Sequence, residues 1–564
     1  MSIHAAFRRQ PVPNGMEMRH ATMTFPAPIR GIVEVENWSY TKPGTALVLD
    51  NWFPTQRGCK LRGGTERWAV LPDPVEIVRS GFEYISGSVQ RMFVATATRL
   101  FDVSFADTPE LATGVGTITN GNFSAAQYAT QGGDWLLAVN DVGDYVRRFN
   151  GTIWEYLNTA YAGVPSRITA PTTAPANIQD GLGLTHIWKY RNRLFFIEGG
   201  TMNAWCLPLN AIGGELIYIP LSGSAKRGGS LLFGATWSSG DSGDSTDDKC
   251  VFVTDQGEAL VFTGTDPTSA SNWKQDGRYD ISKPMGKNAH LQLGGDVLIA
   301  TVDGIVPLSA AVQKDVSALS LAAITLNIEP MWMREFRGKS VYPWSLAKWD
   351  EGDALFVTFP GGSKYDTRTV GVSNLHTGSW GRYVGWDAMC FMQMRGRLFF
   401  GTQDGKIIEA ESSGFDDMHW DEILLRYTGN SYVCTMVGGW EVFQTPPQQV
   451  TWLQARALFF SSGTNSFEPQ LASTTDYQFK IPPPPSVAPS PDMVDVWDQG
   501  LWDDAKWDQP AASTPPVRNT MWASIGETGF SHAPIVQVNI GQYAKPNVEL
   551  ISISATYLRM AANV

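Results

Sequence analysis

The chain has 564 residues, 43% of them hydrophobic and only 17% charged, which is enough apolar material for a large core and more than one domain's worth of length. A formal net charge of −12 excludes a broadly basic surface that would hold nucleic acid by counterion release. With 21 Trp, 27 Phe, 55 Gly and 34 Pro, the composition favours strands and turns over helices.

Residues 1–75 read as an extended N-terminal arm and entry strands. Pro11, Pro13, Pro26, Pro28 and Pro43 precede Ala46-Leu-Val-Leu-Asp-Asn-Trp-Phe-Pro and then Cys59-Lys-Leu-Arg-Gly-Gly-Thr. Two readings stand for this segment: a strand that closes a propeller, or an arm in which Trp52 and Phe53 grip a neighbouring subunit.

Residues 76–415 carry a recurring phrase of apolar strand, Gly/Asp turn and second strand. Its copies begin at Met92, Trp135, Arg193, Val251, Val297, Leu355 and Arg397. The Asp-Gly and Gly-Gly pairs supply the positive φ of tight hairpins. The copies stand roughly 40 to 60 residues apart, against about 40–50 for a four-stranded propeller blade. A mostly β fold is therefore expected, a β-propeller of about seven units. Helical spacing is best over Ala310–Ile324, and Glu329–Phe336 reads as a second short helical turn.

Residues 416–480 are again β-rich. Residues 481–516 break the pattern: Ile481-Pro-Pro-Pro-Pro cannot join a sheet centre, and Trp497, Trp502 and Trp507 each precede an Asp at a period of five. Five fits neither helix nor strand, so this is an exposed loop whose tryptophans are candidate docking anchors. Residues 517–564 read as closing strands.

Chemistry-bearing motifs fail one by one. Gly240-Asp-Ser-Gly-Asp sits in a small-residue acidic run with no flanking triad motif. Gly338-Lys-Ser lacks the phosphate-loop glycine five residues earlier, where Met333 stands. No histidine pair has metal spacing, and the Asp241–Asp248 run lacks an EF-hand pattern. Catalytic residues, cofactor and metal are all expected to be absent. Cys59, Cys206, Cys250, Cys390 and Cys434 are scattered, which suits buried thiols in a reducing compartment. The N-terminus lacks the apolar core of a signal peptide, and no run of about 18 apolar residues exists to span a membrane.

Phe25-Pro-Ala-Pro-Ile-Arg-Gly-Ile-Val, Pro43-Gly-Thr-Ala-Leu-Val-Leu-Asp-Asn-Trp-Phe-Pro and Leu61-Arg-Gly-Gly-Thr resemble the start of tail nozzle (tail hub) proteins of short-tailed bacteriophages. Lys189-Tyr-Arg-Asn-Arg-Leu-Phe-Phe-Ile-Glu, Phe252-Val-Thr-Asp-Gln-Gly-Glu-Ala-Leu-Val-Phe, the Trp-Asp repeat and the final strands are similar to the same proteins. The resemblance implies a non-enzymatic virion protein, assembled in the host cytoplasm. It implies a homohexameric ring below the portal and adaptor that extends the channel for DNA ejection. Implied partners are the head-to-tail connector, tail fibres or spikes, and DNA in transient, non-specific contact. The competing readings are a tail-borne propeller that binds or degrades polysaccharide, and a plain propeller interaction module.

Overall fold

The computed structural model describes residues 20–38, 41–116, 118–141, 144–156, 168–172, 178, 181–238, 248–313, 318–336, 344–359, 368–442, 449–461, 467–487 and 517–559. The fold is mostly β, with 54% strand and 5% helix, and is divided into many small antiparallel sheets. Each repeated phrase forms the second and third strands of one sheet. Phe252 and Val253 show why: the strand Lys249–Thr254 has neighbours on both faces, so consecutive residues are apolar and buried.

From Ser80 onward, small sheets succeed one another along the chain. The first four run from Ser80–Ser86 to Glu110–Leu111, from Ser124–Thr130 to Trp154–Tyr156, from Leu184–Tyr190 to Ile217–Pro220, and from Leu231–Trp237 to Trp273–Asp280. A three-stranded sheet follows (His290–Leu293, Asp296–Thr301, Gly304–Pro307), then strands Ser345–Trp349 to Trp380–Val384, then Cys390–Met394 to Lys406–Ser413. First strands lie side by side: Ser124–Thr130 against Leu184–Tyr190, that strand against Leu231–Trp237, and His290–Leu293 against Ser345–Trp349. Ser345–Trp349 meets Cys390–Met394, which returns to Ser80–Ser86, so the circuit closes. Apolar wedges fill the junctions, for example Phe93, Phe149 and Trp154 between the first two sheets.

The last sheet takes its outer strand from the other end of the chain. Gly64–Val70 pairs antiparallel with Lys406–Ser413, with Ala69 opposite Ile407. Gly64–Val70 is thus the outer strand of that sheet. The described residues 20–75 are built into their own fold rather than held out as an arm: His20–Pro26 pairs with Val548–Arg559, and Ala46–Asp50 with Tyr432–Gly438. Residues 1–19 lie outside the described residues.

The C-terminal strands make a second body of two facing sheets. One is built on Tyr432–Gly438 and Ser531–Ile540, the other on Val450–Ser461 and Val548–Arg559. The long strands alternate inward and outward, and Trp452, Phe459, Val536, Val538, Leu550 and Tyr557 share one core. That core continues without a break into Trp332, Trp344, Val357 and Trp380 of the sheet circuit. Gly31 makes the join possible. It sits at φ 68°, and a Cβ there would meet Trp380 O at 2.3 Å.

Among the described residues, the expected helix over Ala310–Ile324 is realised as Leu308–Gln313, with 3-10 turns at Ser320–Ala322 and Leu326–Ile328. Tertiary bonds explain the break: Ile324 N–H donates to Ile305 O at 3.0 Å, and the Thr325 hydroxyl accepts from Ile305 N at 3.1 Å. Helix Glu329–Phe336 forms as expected. Among the described residues no helix is long and apolar enough to cross a membrane.

Candidate functional site

The circuit encloses a central channel, a cavity of about 460 Å³ bordered by the first strands of the surrounding sheets. Convergence of those strands demands small residues. At Gly234 a Cβ would stand 2.3 Å from the Trp188 ring, and at Gly81 it would stand 2.6 Å from Met392.

Two histidines and a lysine bridge the sheets here. His186 Nε2–H donates to Gly234 O at 2.9 Å, and Nδ1 accepts the Ser124 hydroxyl at 3.0 Å, so this one ring ties three consecutive sheets. His290 Nδ1–H donates to Lys287 O at 2.9 Å, and its ring stacks on Phe233 at 4.1 Å. Each carbonyl acceptor fixes which ring nitrogen carries a proton, Nε2 of His186 and Nδ1 of His290. Burial pushes both imidazoles down, His186 strongly and His290 to about 4. Lys287 reaches past the fourth sheet: Nζ donates to Asp141 Oδ1 at 2.6 Å, Asn122 O at 2.8 Å and Thr185 O at 3.1 Å.

Ser124 and His186 have the outline of a nucleophile and its base. The chemistry is poor for that use. A strongly depressed imidazole is a weak base at neutral pH, and Ser124 Oγ also accepts the Ile187 N–H at 3.4 Å as part of the sheet-to-sheet link.

A second cavity, of about 600 Å³, lies where the circuit meets the C-terminal body. Phe53 and Trp349 line it together with charged groups that pair across it: Arg57 with Glu549 at 2.6 Å, and Lys545 with Glu411 at 3.0 Å. Burial and the nearby Lys545 hold the Lys60 ammonium below its usual range.

The third feature is the hairpin Asp416–Asp421/Arg426–Asn430. Its tip presents Ile423, Leu424 and Leu425 at 91%, 52% and 72% exposure, with Trp420 at 46%. The base is pinned. Arg62, fully buried, grips both carboxylate oxygens of Asp416 at 2.8 and 2.7 Å, lies over the Tyr432 ring at 3.9 Å and bonds Asn51. Arg67 grips Asp417 in the same bidentate way at 2.9 and 2.6 Å. At the tip, Asp421 Oδ1 accepts from the N–H groups of Ile423 and Leu424 at 2.8 and 2.9 Å, which holds the turn.

The sequence-derived docking residues divide. Trp52 is wholly buried: it alternates inward on the strand Trp52–Pro54 and packs in the shared core. Phe53, its outward neighbour, is half-buried and lines the second cavity. Trp497, Trp502 and Trp507 lie outside the described residues. Residues 481–487 run extended beside Ser531–Ile540, where Asn539 Nδ2 donates to Pro485 O at 2.9 Å. All five cysteines are buried and free, as expected; burial pushes the Cys206 and Cys390 thiols up to about 12. Among the described residues no group of three His, Cys, Asp or Glu is placed to hold a metal ion. Sequence reasoning missed the hairpin tip, whose one signal is an aliphatic triplet in a turn between two strand-forming runs. It also missed Lys287, which carries no local signal at all.

No known family model matches the chain, and no curated protein matches it. Among solved structures, BBS1N in complex with ARL6DN is similar at 10% identity over 64% of this chain and 98% of that chain, with a TM-score of 0.38. Sqt1 of Saccharomyces cerevisiae is similar at 10% identity over 67% and 96%, with a TM-score of 0.35. YCF48 from Cyanidioschyzon merolae is similar at 11% identity over 61% and 98%, with a TM-score of 0.28. These neighbours are β-propeller-like. At such scores they carry no argument about this chain, whose architecture rests on its own sheets.

Proposed function

We propose that this chain is the ring-forming subunit of a short-tailed bacteriophage tail nozzle, with a seven-bladed propeller joined to a two-sheet body. In this reading six copies stack below the portal and adaptor and extend the DNA channel. Tail fibres or spikes attach outside, and DNA passes without being held. The observation that carries the reading is the junction. Segments 25–33, 43–54 and 61–65, which bear the resemblance, are the ones that pair the circuit to the C-terminal body. A subunit that transmits load needs such a tie, with His20–Pro26 paired to Val548–Arg559 beside the shared core. The acidic balance of −12 suits a conduit wall from which DNA must slide free.

The test is electron microscopy of the purified full chain with its mass from light scattering. A six-fold ring with an axial opening is expected. A monomer at every concentration would overturn the ring.

The second reading, a polysaccharide-binding or polysaccharide-degrading tail protein, draws on the 600 Å³ cavity, where Phe53 and Trp349 offer ring faces near Glu351, Asp353 and Glu411. Cleavage of host polysaccharide by the purified chain, abolished by Asp353→Asn, would favour it.

A further inference from the structure

The aliphatic tip has a counterpart elsewhere on the same chain. At the Gly438 end of the strand Tyr432–Gly438 lies a mostly apolar recess of about 90 Å³, walled by Phe25, Pro28, Pro43, Trp440, Pro534 and Ile553. At ~30 Å³ per water it has the volume of about three waters, the scale of one branched side chain. Glu441 also borders it, its acidity weakened by burial. The indole N–H of Trp440 has no acceptor among the described residues.

The hairpin enters the same strand from the Tyr432 end. The strand alone spans about 23 Å at ~3.3 Å per residue, and the Arg62–Asp416 and Arg67–Asp417 pairs fix the hairpin's base. The tip therefore cannot fold back into its own recess. Charge matches as well. Glu422 is exposed at the tip, and the Lys42 side chain, 67% exposed, borders the recess, its Nζ 3.4 Å from Glu36.

We propose that the tip Ile423–Leu425 of one copy docks in the Pro43/Trp440 recess of the next, with Glu422 facing Lys42. Different patches meet, so the contact is heterologous and propagates head to tail, closing into a ring or running on as a filament. The inference rests on the nozzle reading for the ring, and it adds the contact itself.

The test measures the mass of the full chain by light scattering across a concentration series. Variants are Ile423→Asp/Leu424→Asp, Lys42→Glu, Glu422→Lys and the Lys42→Glu/Glu422→Lys pair. All alter exposed side chains, and unchanged melting temperatures confirm folding. The tip double variant is expected to weaken association at least about 100-fold. Each charge reversal should weaken it about two- to fivefold, and the reversed pair should restore it. Rings that persist in the tip double variant overturn this contact and leave the nozzle ring standing. Open filaments lost in the same variant support the contact and overturn the ring. A wild-type chain that stays monomeric overturns both.

Discussion

Acidification should loosen the sheet circuit at the channel histidines before most carboxylates titrate. His290 falls from an ordinary 6.5 to about 4 on folding, chiefly through burial. The unfolded chain therefore binds a proton that the folded chain refuses throughout that interval. Stability is complete above about pH 6.5 and declines as pH falls toward 4. The full interval is worth about 3 kcal/mol, and about 2 kcal/mol is already lost by pH 5. Those values are ceilings, because His290 borders the channel and is only half-buried by surface area. His186 shifts in the same direction and adds to the slope. The assay is the urea midpoint between pH 7.5 and 5, for the wild type and His290→Asn. The asparagine amide keeps a donor near Nδ1 for Lys287 O and removes the titration. The difference between the two curves should shrink as pH falls. Parallel curves would refute the argument that folding excludes the His290 proton.

Lys287→Met leaves Asp141 and two carbonyls without their shared donor; about 2–4 kcal/mol of lost stability is expected by denaturant unfolding, discounted because Asp141 is partly exposed. A change below about 0.5 kcal/mol would mean that the bridge is idle. Arg62→Met should cost about 3–5 kcal/mol and speed proteolysis within residues 416–430, since Asp416 loses a fully buried bidentate partner. Gly31→Ala places a Cβ against Trp380 O in a left-handed backbone, and it should lower the melting temperature by several degrees, about 2 kcal/mol or more. On the nozzle reading, substituting Trp497, Trp502 and Trp507 together by Ala should leave the melting temperature unchanged while weakening capture of the proposed connector, measured by co-sedimentation; unchanged capture would remove those tryptophans as anchors.

What could be read from the residues follows the range of the forces involved. The hairpin phrases are local: Gly304 and Gly405 of the Asp-Gly pairs take positive φ at the turns where the sequence places them. The alternation Trp52-in, Phe53-out is also local, yet it does not tell which side is core. That depends on Val548–Arg559, about five hundred residues away, which pairs beside this strand through Cys59–Leu61. The helical spacing fails at Ile324 for the same reason, because Ile305 claims the backbone of Ile324 and the hydroxyl of Thr325. At the candidate site, Lys287 meets Asp141 across 146 positions and Arg62 meets Asp416 across 354, separations at which a sequence offers no pattern.

These long-range polar bridges have a common logic. The wedges between sheets are built from interchangeable apolar residues, so hydrophobic burial alone would accept several pairings of neighbouring sheets. A buried cation that reaches one carboxylate accepts only one. Lys287 joins the fifth sheet to the second and third, His186 joins the second, third and fourth, and Arg62 fixes the hairpin to the junction. Each such group costs desolvation and returns little net stability, but it penalises a misordered circuit by leaving a charge unpaired at Lys287 and Arg62, and a buried polar group unpaired at His186. In the proposed ring that ordering would matter at the surface, because the Arg62–Asp416 pair fixes the base of the hairpin that carries the Ile423–Leu425 tip. If that is why the buried charges are there, replacing Arg62 and Asp416 together by Met and Leu should cost far less stability than Arg62→Met alone, yet it should disperse the hairpin's orientation and weaken assembly as much as the tip substitutions do.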